Sequence, residues 1–268
     1  MKIPKLIASD LDGTLVEEGA GALPPALVER LDRLQELGIP FLVSSGRQAA
    51  SLQTIFAPLK RHPLILALNG GALFQGERLL FQDPIPQRTA LEIAGTAAAR
   101  EGVYVILETA RECWVYGTHT PLKELLEQRQ YHVRVIDDLG AVTGQVIKVA
   151  CYTQRDADAM ERWALENSPD GIKAARSGAT WVDFNVADKG KGLSKTCELL
   201  GIAPEDCMAF GDNLNDAPML DTAGSAFAVS GSILAGTGRF PVCSSVEAVL
   251  KKICDEAEKT LAIHGRLW

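Results

Sequence analysis

The sequence predicts an α/β fold: a parallel β-sheet with helices on its faces, interrupted once by an inserted α+β segment. Three observations carry this. Short, almost wholly apolar runs recur, and the first three end in small or polar residues (Ser9-Asp10, Ser44-Ser45-Gly46, Asn69-Gly70). Strands buried on both faces of a sheet read this way. Helical spacing separates these runs, as a parallel crossover requires. Between residues 83 and 185 the rhythm changes to strands in pairs between helices.

Residues 5–9 form the first predicted strand. Pro24-Pro25 opens a helix whose apolar face is Leu27, Leu31 and Leu34, and Gly38 stands where its C-terminal cap belongs. A second strand is expected at 39–43, a helix at 48–56 and a third strand at 64–68. Residues 72–81 read as a hairpin turning at Gln75-Gly76-Glu77, and Asp83-Pro84-Ile85-Pro86 as a linker. The inserted segment is expected to run helix 89–100, strands 103–108 and 112–116, helix 120–128, strands 132–136 and 145–151, helix 154–166, and strands 171–176 and 180–186. The first rhythm then resumes with helix 190–200, strand 207–210, a helix near 215–222, strand 226–229 and helix 245–261. The expected organisation is therefore a discontinuous core, 1–82 and 186–268, with an insertion at 83–185. The last five residues, His264 to Trp268, carry no readable pattern.

Composition narrows the function. The 268 residues are 47% hydrophobic and 23% charged, as in ordinary globular proteins. A formal net charge of −7 repels nucleic acid phosphates, so DNA and RNA are not expected partners. No apolar run of membrane-spanning length occurs, and acid follows the N-terminus too soon for a signal peptide. The six cysteines are scattered without metal-ligand spacing, mostly in apolar stretches, and are expected as free core thiols of a cytoplasmic protein.

Four segments carry chemistry. Asp10-Leu11-Asp12-Gly13-Thr14 follows the first strand. Residues two apart on extended backbone point the same way, so both carboxylates can face one pocket at the sheet edge where α/β ligands bind. Such a pair can hold a divalent cation and divide nucleophilic from acid/base work. Gly211-Asp212-Asn213-Leu214-Asn215-Asp216 follows another strand and opens a helix. Helix capping explains one such acid or amide, but not acids at two strand ends. Ser44-Ser45-Gly46-Arg47 offers a hydroxyl and backbone N–H groups before a helix, which suits a phosphoryl oxygen. Asp188-Lys189-Gly190-Lys191-Gly192 offers a lysine at a helix start without completing a nucleotide-binding phosphate loop.

Together these segments resemble the haloacid dehalogenase (HAD) superfamily of phosphohydrolases. Their order is similar to the Cof-type branch with the large inserted cap, subfamily IIB. The resemblance implies a Rossmann-like three-layer core and a mobile cap inserted after the third strand, which selects the substrate. It implies an Mg2+-dependent phosphatase of small phosphorylated metabolites, sugar phosphates or related compounds, acting through an aspartyl-phosphate. By resemblance Asp10 is the nucleophile and a metal ligand. Asp12 is the general acid/base, with its backbone carbonyl on the metal. Asp212 completes the metal site, with Asp216 behind it. Ser45, Gly46, Lys189 and Asn215 contact phosphate, and Asn69 lies near substrate. Near the end of the inserted segment, Arg176 is expected to reach substrate, while Trp114 and Trp181 are either core residues or sugar-stacking surfaces. Two departures stand out: Ser45 where Thr is usual, and Ser230-Gly231-Ser232 where an Asn-Ala pair is usual. A phosphosugar mutase, a dedicated sugar-phosphate phosphatase and a non-catalytic binding module remain alternatives, and the oligomeric state is open.

Overall fold

A computed structural model describes residues 2–268. The first sheet begins with β1 (Leu6–Ser9), β2 (Phe41–Ser44) and β3 (Leu64–Ala67), all buried throughout. Between them lie α1 (Pro25–Glu36) and α2 (Ala49–Ile55). Helix α1 buries Leu27, Leu31 and Leu34 along one stripe, each contributing about 1.5–3 kcal/mol. The hairpin β4 (Ala72–Gln75) and β5 (Arg78–Gln82) then extends the sheet antiparallel beyond β3.

The chain next builds a second sheet. Its elements are α3 (Gln87–Ala98), β6 (Tyr104–Thr109), β7 (Cys113–Tyr116), α4 (Thr120–Gln128), β8 (Val133–Ile136), β9 (Val146–Tyr152), α5 (Ala157–Glu166), β10 (Lys173–Arg176) and β11 (Trp181–Asn185). Their order is β10-β11-β9-β6-β7-β8, antiparallel except for the parallel pair β7–β8. Helix α5 starts at Ala157 rather than 154, because Asp156 stands as its N-cap and accepts a hydrogen bond from the Ala159 N–H.

After β11 the chain returns through α6 (Lys189–Leu200), β12 (Cys207–Gly211), α7 (Ala217–Thr222), β13 (Ser225–Val229), α8 (Ile233–Gly236), β14 (Val242–Cys243) and α9 (Val246–His264). The eight-stranded order is β14-β13-β12-β1-β2-β3-β4-β5, parallel from β14 to β3. Residues from α1, α2 and α9 pack one face, including Leu31, Leu52 and Leu250. Leu193, Met219 and Leu234 from α6, α7 and α8 pack the other. Three layers result, as expected for an α/β fold. The sequence reading missed α8 and β14, which are only four and two residues long and too short for periodicity to show. It also stopped α9 early. The helix runs to His264, where Gly265 terminates it at φ 70°.

All six cysteines are free and buried. No described helix is long and apolar enough to cross a membrane.

Candidate active site

The central strands of the first sheet bring four segments to one edge. Pairing of β1 with β12 sets Ser9 beside Phe210, so the two loops that follow leave side by side. The Asp10 N–H donates to the Phe210 carbonyl at 3.0 Å, which fixes Asp10 at this edge. Gly13 has φ 77°, and a Cβ there would lie 2.7 Å from Asp212 Oδ2, so glycine is what lets the two loops close on each other. Thr14 Oγ1 donates to Asp212 Oδ1 at 2.8 Å and aims that carboxylate. Gly211 does the same for Asp216, whose Cβ would sit 2.5 Å from any Cβ at position 211.

Lys189, the first residue of α6 and only 1% exposed, lies between two carboxylates. Its Nζ donates to Asp10 Oδ1 at 2.6 Å and to Asp216 Oδ1. Asp216 Oδ2 accepts the N–H groups of Asp212 and Asn213, both at 3.0 Å. Both oxygens of Asp216 are therefore engaged, and it braces Lys189 and the Asp212 loop. Burial would lower the Lys189 pKa, but the charges of Asp10 and Asp216 outweigh this and raise it above the ordinary lysine value. Burial, then repulsion from Asp216, raises Asp10 well above the usual aspartate range against the pull of Lys189. Burial also raises Asp212.

Carboxylate oxygens of Asp10, Asp212 and Asp216 lie within 4.8 Å of one another. Hard oxygen donors without histidine or thiolate suit a hard divalent cation, which would also relieve the repulsion among them. Because Asp216 is already committed, Asp10 and Asp212 are the side chains left to hold it.

Asp12 is placed differently. Its Oδ2 accepts from Arg47 Nε at 2.8 Å, its Oδ1 from Arg47 Nη2 at 2.5 Å, and Oδ1 also accepts the Gly19 N–H at 2.9 Å. Ser45 Oγ accepts the Arg47 N–H at 3.2 Å. Asp10, Asp12, Ser45, Gly46, Asn69, Lys189, Asp212 and Asn215 all line one cavity of about 110 Å³ between the two sheets.

Arg176 is not among them, which corrects the expectation that it reaches substrate. Cross-strand partners share a face, and Arg176 pairs with Val182, which is buried beneath α3 and α5. Its guanidinium accordingly ties to Asp158 and Glu161 of α5 and to the carbonyls of Gly178 and Ala179. Trp114 packs in that same core. Trp181, on the opposite face, lines the cavity.

Three charged residues of the second sheet were missed: Glu108, Lys148 and Asp183, each 2–4% exposed. They line the same cavity. Lys148 Nζ lies 2.9 Å from Glu108 Oε1, 3.5 Å from Asp183 Oδ2, and donates to the Gly46 carbonyl at 2.8 Å. Asn69, at φ 57°, donates through Nδ2 to Asp183 Oδ2 at 3.0 Å. The sequence signal was present: one charge inside each of three strands that are otherwise largely apolar.

The family model for haloacid dehalogenase-like hydrolases matches residues 7–233, and the chain belongs to that family. An HMP-PP phosphatase of Shigella flexneri is 27% identical over 237 residues, covering 83% of each chain. A solved structure from Eubacterium rectale superposes with a TM-score of 0.82 at 27% identity, covering 93% of this chain and 99% of that one. A HAD subclass IIB sugar phosphatase superposes with a TM-score of 0.76 at 20% identity, covering 97% and 99%. The chain is therefore a haloacid dehalogenase-like hydrolase, and its curated relatives include proteins named as phosphatases.

Proposed function

We propose that this HAD-type phosphatase hydrolyses small phosphorylated metabolites, sugar phosphates among them, with Mg2+ and through a phosphoryl group carried on Asp10. The observation that carries the reading is Asp10 itself. It is a buried carboxylate at a strand end, touching a buried lysine and facing a second aspartate across two closed loops. Two kinds of similar proteins add support: one is named an HMP-PP phosphatase, the other a sugar phosphatase.

Asp10 and Asp212, with the Asp12 backbone carbonyl, would hold Mg2+, which supplies charge neutralisation at the phosphoryl oxygens. Asp10 attacks phosphorus in line, forming its P–O bond as the ester P–O bond breaks. Lys189, Ser45 and Asn215 meet the phosphoryl oxygens and offset their charge. Asp12 gives the leaving alkoxide its proton, then takes one from the water that attacks the phosphoenzyme and frees phosphate. The Arg47 guanidinium, which donates two hydrogen bonds to Asp12, orients that carboxylate at the cavity. The segment 83–185 serves as the cap, opening for exchange and excluding water when closed.

The test is phosphate release from a panel of phosphorylated sugars, nucleotides and cofactors, with Mg2+ and with EDTA. Labelled phosphate should remain with acid-quenched protein and be displaced by hydroxylamine, as an acyl phosphate is. Release indifferent to EDTA, or isomer conversion without release, would overturn the reading.

A further inference from the structure

The Glu108, Lys148 and Asp183 cluster is unused by the chemistry above, and it is built unlike a structural ion pair. One ammonium serves two carboxylates. Each carboxylate spends one oxygen on fixed partners: Glu108 Oε1 on Lys148, and Asp183 Oδ2 on Lys148 and Asn69. The other oxygen of each, Glu108 Oε2 and Asp183 Oδ1, is buried without a partner, and so is Asn69 Oδ1. Buried acceptors left open cost free energy unless something donates to them. All three residues line the cavity that also holds Asp10 and Lys189.

The placement follows from register. Glu108 pairs with Lys148 across β6 and β9, and Lys148 with Asn185 across β9 and β11, so these side chains share the face turned to the first sheet. Asp183 lies two residues along from Asn185 on that face. Lys148 reaches over to the Gly46 carbonyl, next to Ser45. The unpartnered oxygens thus stand on the second-sheet side of the cavity, whereas Asp10 and Lys189 stand on the side of the first sheet. Those oxygens are acceptors only. Around the whole cavity six carboxylates face four cations, and Lys189 belongs to the phosphoryl end.

We infer that Glu108 and Asp183 are specificity-determining residues that accept hydrogen bonds from hydroxyl or amino groups on the part of the substrate remote from phosphorus, and that they repel an anionic group there. The inference rests on the phosphatase reading of the site. It separates polyol and amino-bearing phosphate esters from those of hydroxy acids. A neutral donor satisfies Glu108 Oε2 or Asp183 Oδ1, whereas a carboxylate brings like charge against both.

The test uses matched pairs as inhibitors of p-nitrophenyl phosphate hydrolysis, so that each compound yields a value whether or not it is turned over. Glucose 6-phosphate is set against 6-phosphogluconate, and glycerol phosphate against 3-phosphoglycerate. A hydrogen bond to a charged acceptor carries about tenfold or more in affinity. The native protein should bind the polyol member at least about tenfold more tightly. In Glu108→Gln and in Asp183→Asn that ratio should fall to about threefold or less. Because each ratio is taken within one protein, a change in active fraction cancels. Equal or reversed binding in the native protein overturns the inference, and so does a preference that survives both substitutions. Absence of phosphate release from p-nitrophenyl phosphate and from every compound of the panel sinks the proposed function and this inference with it. Hydrolysis without the preference sinks the inference alone.

Discussion

Two buried lysines in this molecule each stand between two carboxylates, and they are put to different use. Lys189 joins Asp10 and Asp216 at the edge of the parallel sheet. Lys148 joins Glu108 and Asp183 in the middle of the second, largely antiparallel sheet. The first cluster is assembled from loops that follow strands, where backbone N–H groups are free to finish the work. Two of them fill Asp216, which stands behind Asp10, the proposed nucleophile. The second cluster is assembled from strand interiors, where the N–H groups are spent on the ladder. Its carboxylates therefore keep open oxygens. The same three charges can brace a nucleophile or present acceptors, depending on how many backbone donors reach them.

The sharpest way to break this contrast is Asp10→Asn. An amide is a poor nucleophile and a poor cation ligand, so phosphate release should fall by at least about a thousandfold. Residual release of more than about one percent would mean Asp10 is not the reacting group.

Next in size are Lys189→Met and Lys148→Met. Each strands two acids around a side chain 1% or 4% exposed. Leaving a buried charge uncompensated costs about 3–5 kcal/mol. Urea denaturation should show a loss of that order in both variants. A negligible loss for Lys148→Met would mean that water, not the lysine, compensates Glu108 and Asp183.

A smaller effect distinguishes the clusters by pH. Burial, eased by Lys148, leaves Glu108 raised above its ordinary 4.5. The folded protein therefore holds that proton more tightly than the unfolded chain. The stability this contributes is complete below about pH 4.5 and declines as pH rises through the raised value, by at most about 1.4 kcal/mol per pH unit. Glu108→Gln should remove the decline. An identical pH slope in the variant would show that Glu108 titrates as an exposed acid does.

Smallest of all, Arg176→Ala should change kcat/KM by less than about twofold, because its partners lie on α5. A rise in KM for every substrate would return Arg176 to the cavity.

Much of this molecule was open to a reader of the sequence alone. Runs of apolar residues mark strands buried on both faces, and Leu27, Leu31 and Leu34 mark a helix, because periodicity is set by local backbone geometry. Asp10, Asp12, Ser45, Lys189 and Asp212 could be grouped on paper because each follows a strand or opens a helix. Parallel strands bring all such ends to one edge.

What tertiary structure decided depends on register and on facing. Arg176 could be assigned to neither face until its pairing with Val182 was known, and a shift of one residue would have turned it to the cavity. Glu108, Lys148 and Asp183 stand as isolated charges, 40 and 35 positions apart in the sequence. Only the pairing of β6, β9 and β11 makes them one cluster, and their contacts with Gly46 and Asn69 tie that cluster to the first sheet, at the cavity that Asp10 also lines. Local patterns carry the propensity of each segment. Which side chains meet is settled by hydrogen bonds between segments far apart in the chain, and single-sequence periodicity holds no record of those.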